Sequence, residues 1–304
     1  MARELPIGTR LISDDEPAWV VAELGGNHGG DINVALELIA TAARCGADAI
    51  KLQKRHNPTL YTTALLDAPY ENENSFGPTY GAHREAIELT PIEMFQCFNA
   101  ARLHGMEGFA TAFDEHSVQT LMEIGGVPAF KIHSGGLTDE RLIHSVAECG
   151  LPVLLSTGGG TMEDIDRAVG WLGACPHAIL HCTASYPLRS EDANLRCILT
   201  LRNRYPETVI GFSSHSPGIA FSLIAYAFGA RIIEHHVTLS RASKGTDHAF
   251  SLEPKGLQSL VEDLGKLRFA LGDGVKRFLP CEMKPVAKMR RHATAEGWKI
   301  DGTL

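Results

Sequence analysis

Eight short apolar runs, alternating with stretches of helical period, set the tightest limit on how this chain can fold. The runs are 19–25 (WVVAELG), 49–53 (AIKLQ), 108–113 (GFATAF), 129–134 (AFKIHS), 152–157 (PVLLST), 178–183 (AILHCT), 209–214 (VIGFSS) and 232–237 (IIEHHV). Between them lie amphipathic segments such as NVALELIATAARC, PIEMFQCFNAARLHG and MEDIDRAVGWLG, many of which stop at Gly, a common helix terminator. A last such segment, PKGLQSLVEDLGKLRFALG, follows the eighth run. Eight β–α units predict an α/β fold, a TIM (β/α)8 barrel, over the open doubly wound sheet. At 304 residues the chain has an ordinary length for that barrel.

Composition narrows the classes of function. A hydrophobic content of 44% supports a sizeable core. A net charge of −8 argues against a nucleic-acid or anionic-membrane surface, while a few local cations can still build a site for an anionic substrate. The seven cysteines are odd in number and form no CxxC, which reads as reduced thiols in a cytoplasmic protein. The opening MARELPIGTRLISDDEP has no apolar signal core, and IAFSLIAYAFGARII is too short and interrupted to span a bilayer. The barrel is expected over 1–280, with a charged tail over 281–304.

The connections 54–90, 184–192 and 238–253 are longer than plain turns, and all follow strand C-termini. In a barrel those loops build the active face. The strand ends carry an unusual polar load: Glu23; Lys51 and Gln53; Thr111 and Asp114; Lys131 and Ser134; Ser156 and Thr157; His181 and then Tyr186; Ser213 and His215; Glu234 and His236. Ionisable groups inside a barrel are costly unless paired or ligated. In IIEHHVT, strand alternation puts Glu234 and His236 on one face and His235 on the other, toward the helices. His215 and His236 end adjacent strands and can converge on one divalent metal such as Mn or Zn. The alternative is a pair of satisfied polar residues. Lys51 and Lys131, with Ser134, Ser156 and Ser213, suit a phosphate or carboxylate. The alternative there is pairing with Glu23 and Glu234. GGNHGG matches neither a P-loop nor a dinucleotide fingerprint, and STGGGT is a Gly-rich turn into a helix, compatible with an anion site or simply with turn geometry. There is no GxSxG, so nucleophilic hydrolysis has little support. A Schiff-base role for Lys131 is a competing reading, and the histidine pair favours metal-assisted chemistry over it.

From about residue 18 to 255 the ordered motifs VVAELGGNHGG, GADAIKLQK, FATAFD, FKIHSGGLTD, LLSTGG, LHCTASYP, GFSSHSPG, IIEHHVT and GTDHAFSLEP resemble the sialic acid synthase family. These are the phosphoenolpyruvate-dependent N-acetylneuraminate synthases and their relatives. Each motif is short, but the ordered set is specific. The resemblance implies a TIM barrel, a partner copy in a homodimer, and a divalent cation, commonly Mn, with Mg or Co as other candidates. It implies condensation of phosphoenolpyruvate with the aldehyde of an N-acetylated amino sugar, N-acetylmannosamine or a relative. The product would be a nine-carbon 2-keto-3-deoxy sugar acid, with release of phosphate. It places the metal on His215 and His236. Phosphoenolpyruvate would sit among Lys51, Thr111, Lys131, Ser134, Ser156 and Ser213, and the sugar against Gln53, Tyr186 and Asp247. Glu23, Lys51, Lys131 and Asp247 form the implied catalytic set, with Glu23 managing protons.

The chain departs from the family pattern at Gly136, where an acid is usual, at Ala184, where the sialic acid enzymes carry Asn, and at Ser214, where Asp is common. Members of the family usually continue into a small antifreeze-like domain, and the sequence to Leu304 is expected to lack it. Two further readings therefore stay open: the same chemistry on another aldehyde sugar, and a non-catalytic sugar-phosphate binder.

Overall fold

The computed structural model describes residues 3–303. An antiparallel hairpin comes first, β1 (Glu4–Ile7) and β2 (Arg10–Ser13). Eight parallel strands follow: β3 (Trp19–Glu23), β4 (Ala49–Lys54), β5 (Glu107–Ala112), β6 (Phe130–Ile132), β7 (Val153–Ser156), β8 (His177–Cys182), β9 (Val209–Ser214) and β10 (Ile232–His236). They pair in sequence order, and β10 pairs back onto β3 to close the barrel. The predicted (β/α)8 barrel and all eight of its strands are borne out, each within a few residues of its apolar run.

Period-two alternation divides each strand between two environments. Val20, Ala22, Ile50, Leu52, Ala110, Phe130, Ile132, Leu155, Ile179, Ile210 and Ile233 pack outward under the helices in one large core. The opposite face turns into the barrel. Its first layers are apolar: Trp19 and Val21, Ala49, Phe109, Leu154, Ala178 and Leu180, Val209 and Ile232. Leu5, Ile7 and Ile12 of the hairpin join this cluster, so β1–β2 seals the N-terminal end of the barrel. Two residues further along the same strand faces stand Glu23, Lys51, Thr111, Ser156 and Glu234, and Ser213 stands four beyond Val209. One face of each strand therefore runs from hydrocarbon to ionisable groups toward its C-terminal end.

The helices begin where their sequences provide caps. Thr90 and Glu93 form a capping box ahead of Pro91–Leu103, and Thr161 and Asp164 form one ahead of Met162–Leu172. The chain divides into two compact units between Arg268 and Phe269. The second unit contains a short hairpin, β11 (His292–Thr294) and β12 (Gly297–Lys299). All seven cysteines are free. Among the described residues no helix is long and apolar enough to cross a membrane.

Candidate active site

At the C-terminal end of the strands lies a cavity of about 610 Å³. Its wall includes all twelve residues to which the family resemblance gives a role: Glu23, Lys51, Gln53, Thr111, Lys131, Ser134, Ser156, Tyr186, Ser213, His215, His236 and Asp247. The three long connections contribute as well, through Asn74, Arg84 and Ile87, through Ala184 and Tyr186, and through Thr246 and Asp247.

The floor is a buried ionic network. Lys51 Nζ lies 2.6 Å from Glu23 Oε2 and 3.8 Å from Glu234 Oε1. Lys131 Nζ donates to Glu234 Oε2 at 2.7 Å. Both lysines thus take the pairing that the sequence left open as the alternative to an anion site. Lys51 also donates to Thr111 Oγ1 at 2.8 Å, Ser213 Oγ to Glu234 Oε1 at 2.9 Å, and Gln53 Nε2 to Glu23 Oε1 at 2.7 Å. The two acids differ. Burial pushes Glu23 up, reinforced by the Glu234 charge and only partly countered by Lys51. Burial acts on Glu234 too, but Lys131 and Lys51 outweigh it and hold the carboxyl down at about 2. Glu23 is therefore the member of this network that most readily takes up a proton.

Beside the network stand two imidazoles, their ring centroids 5.6 Å apart. His215 Nδ1 donates to the Thr183 carbonyl at 3.0 Å, which leaves Nε2 with a bare lone pair. His236 Nδ1 is buried without a hydrogen-bond partner and lies 3.6 Å from Asp247 Oδ2. Burial pushes both imidazoles down, His215 to about 4, so both are neutral at pH 7. Gly25, with φ +55°, keeps the space beside them open: a Cβ there would lie 2.9 Å from Asp247 Oδ2 and 3.0 Å from His236 Nδ1. Two neutral imidazoles, an orphaned ring nitrogen and an adjacent carboxylate fit a divalent cation in chemistry. Among the described residues no group of three or more His, Cys, Asp or Glu is placed to hold an ion, so protein donors supply only part of a coordination shell.

Around this centre, Ser134 Oγ accepts from Gly158 N at 3.1 Å, and the Tyr186 ring lies 4.1 Å from that of His215. Other polar strand ends serve the scaffold. Asp114 caps the helix Glu115–Ile124 and accepts from His56 N at 2.8 Å. Thr157 Oγ1 donates to the Leu180 carbonyl at 3.0 Å, and His181 Nε2 bonds the Ala193 carbonyl at 2.8 Å. His235 is buried on the outer face of β10 against the Gly218 and His236 carbonyls, as alternation predicts. Of the three departures from the family pattern, only Ala184 lines the cavity. Ser214 bonds Ser216 at 2.8 Å, and a Cβ on Gly136 would meet Ile132 and Leu142 at 3.1 Å.

Sequence reasoning missed Arg55, Asn74, Arg84, Phe113, His133 and Cys182, all on the cavity wall. Arg55 stacks over Phe113 at 3.7 Å, donates to Gln53 and so orients the amide that reaches Glu23. Phe113 in turn stacks on His133 at 4.1 Å. Arg55 is two residues beyond Gln53 on the same alternation, a signal that was available in the sequence.

Known proteins resemble the chain over nearly its whole length. The NeuB family model matches residues 38–276. The N-acetylneuraminate-9-phosphate synthase of Mus musculus is 37% identical over 94% of this chain and 80% of its own. The N,N'-diacetyllegionaminic acid synthase of Legionella pneumophila is 31% identical over 91% and 79%. The solved N-acetylneuraminic acid synthetase of Leptospira borgpetersenii, in complex with citrate, superposes with a TM-score of 0.80 at 36% identity, covering 94% of this chain and 96% of that one. With the barrel and its ionic floor in place, these matches show that the chain belongs to the NeuB family of sialic acid synthase-like enzymes.

Proposed function

We propose that the cavity condenses phosphoenolpyruvate with the aldehyde of an N-acetylated amino sugar, N-acetylmannosamine or a relative, giving a nine-carbon 2-keto-3-deoxy sugar acid and phosphate. The observation that carries this reading is the pair of buried lysines sharing a floor with an easily protonated Glu23, beside the His215–His236 pair. The two ammonium groups, with the hydroxyls around them, are the donors that the floor offers a phosphate or carboxylate. Lys51, Lys131, Thr111, Ser134, Ser156 and Ser213 then surround phosphoenolpyruvate as donors. Gln53, Tyr186 and Asp247 face the acceptor.

In the reaction, C3 of phosphoenolpyruvate bonds to the aldehyde carbon and C2 becomes oxocarbenium-like. Water adds to C2 and passes one proton to ionised Glu23, which hands it on to the former aldehyde oxygen, and the tetrahedral centre expels phosphate by breaking its C2–O bond as the remaining hydroxyl gives up its proton to the phosphate and becomes the keto group. Lys51 and Lys131 balance the charge of the departing group. His215 and His236, with Asp247 beside them, would hold a divalent cation, Mn foremost, which supplies Lewis acidity toward the aldehyde oxygen when bound. The names of the relatives support a sugar acceptor of this class, and Ala184 on the wall is where the chain's acceptor preference would differ.

The test is phosphate release from phosphoenolpyruvate with Mn, with and without N-acetylmannosamine. Release that requires the sugar is expected. Release at the same rate without any aldehyde would sink the condensation reading.

A further inference from the structure

One ring on the cavity wall has no part in the chemistry described so far. His133 directly follows Ile132, the last residue of β6, two residues beyond Lys131 and one before Ser134. Its imidazole stacks on Phe113, with ring centroids 4.1 Å apart and planes 22° from parallel. The Arg55 guanidinium carbon lies 3.7 Å from the centroid of the same Phe113 ring. At those separations two planar groups cannot share a face, so Phe113 is sandwiched between them. The turn Ser134–Gly136 passes close to the imidazole, and a Cβ on Gly135 would come within 3.0 Å of Cε1 and 3.1 Å of Nδ1. Glycine at that position leaves the ring its room.

Packing alone holds this imidazole. Among the described residues neither ring nitrogen has a hydrogen-bond partner, and no carboxylate forms an ion pair with it. Burial pushes the ring down to about 3, and the charges of Arg55, Lys51 and Lys131 push the same way, so it is neutral at pH 7. A neutral imidazole carries one N–H donor and one bare nitrogen. A fixed donor beside three cations, with no protein acceptor to take it up, is matched by an oxyanion.

Phosphoenolpyruvate brings two such groups, a carboxylate and a phosphate ester. As the C2–O bond breaks, negative charge builds on the phosphate oxygen, while the carboxylate keeps the charge it had. Donors at the phosphate therefore strengthen during the reaction. We propose that His133 is a further substrate-binding residue, whose N–H donates to the phosphate group of phosphoenolpyruvate and holds it as it departs. The proposal rests on the condensation reading and adds to it a neutral donor at the leaving group.

The test measures binding of inorganic phosphate, pyruvate and phosphoenolpyruvate by calorimetry, with no aldehyde present, to the intact chain supplied with Mg. Wild type is compared with His133→Phe, which keeps a ring against Phe113 but has no donor, and with His133→Gln, which returns an N–H. His133→Phe is expected to weaken phosphate and phosphoenolpyruvate by about tenfold, the scale of a charge-assisted hydrogen bond, and to leave pyruvate unchanged. His133→Gln is expected to recover part of that loss. In turnover the loss falls on the KM for phosphoenolpyruvate and on kcat, with the KM for the sugar unchanged. ¹⁵N NMR of wild type gives the same answer if His133→Phe does not fold. Saturating phosphate is expected to shift the imidazole signals of His133, identified by their absence from His133→Gln, and pyruvate to leave them in place. Equal phosphate affinity in wild type and His133→Phe would overturn the proposal. So would signals that phosphate does not move, or a loss that falls equally on pyruvate. Wild type that binds neither phosphate nor phosphoenolpyruvate would overturn both this contact and the condensation reading. His133-dependent phosphate binding without condensation of any aldehyde would support the contact and overturn that reading alone.

Discussion

Glu234 is the most constrained side chain in the cavity, because it answers Lys131 at 2.7 Å and Lys51 at 3.8 Å while accepting from Ser213. Removing its charge leaves Lys131, which is 2% exposed, without a carboxylate partner. Glu234→Gln is expected to cost about 3 kcal/mol in urea unfolding, the usual scale for breaking a buried pair. Adding Lys131→Met should recover part of that stability while leaving phosphoenolpyruvate binding weak. Glu23 differs because burial has raised its carboxyl, so it keeps its proton to a higher pH than an ordinary glutamate. The acidic limb of kcat/KM should therefore rise at a pH above the ordinary glutamate range and flatten in Glu23→Gln; an unchanged limb in that variant would contradict its proton role. Period two made the inward faces readable residue by residue, from Glu23 to His236. It could not separate a polar strand end that faces the cavity from one that caps a helix, as Asp114 does, or bonds a carbonyl, as His181 does. Arg84 and Asn74 come from a segment with no period at all, and only its fold brings them to the wall.

The N-terminal hairpin is the element whose role the sequence concealed. ELPIGTRLIS is too short to signal more than a turn, and its partner surface is the barrel interior, which exists only after closure. Asp14, just beyond β2, ties it down: Arg3 Nη1 and Arg202 Nη1 each donate to its carboxylate at 2.9 Å, and Arg231 lies 3.6 Å away. Burial works to raise this carboxyl, but the bonds from Arg202 and Arg3 outweigh it and leave it below its ordinary 3.8. The folded chain thus binds that proton less readily than the unfolded one. The stabilisation is complete above the ordinary value and is lost as pH falls through the lowered one. Asp14→Asn is expected to lower stability by about 1–3 kcal/mol at neutral pH. The gap from wild type should narrow below about pH 4; a gap that stays constant with pH would show that the ionic contact contributes nothing. The eight barrel strands, by contrast, were legible because each is apolar on its outer face and its spacing leaves room for one helix.

At the scale of the whole barrel, stability and chemistry occupy opposite ends of the same strand faces. Hydrocarbon from the hairpin and the lower strand layers closes one end, and ionisable groups fill the other. The three long connections then give the cavity its cap. The metal expectation belongs to this scale as well, since His215 and His236 come from neighbouring strands and Asp247 from a loop. Dialysis against a chelator should abolish turnover and added Mn should restore it. His215→Ala combined with His236→Ala should lose bound metal by elemental analysis; full metal content in that variant would place the ion elsewhere. The central claim is the formation of a carbon–carbon bond, and the direct test is product analysis after turnover with phosphoenolpyruvate labelled with ¹³C at C3. A sugar acid of nine carbons is expected, with the labelled carbon coupled to the former aldehyde carbon in its NMR spectrum. Labelled pyruvate together with unchanged sugar would contradict it.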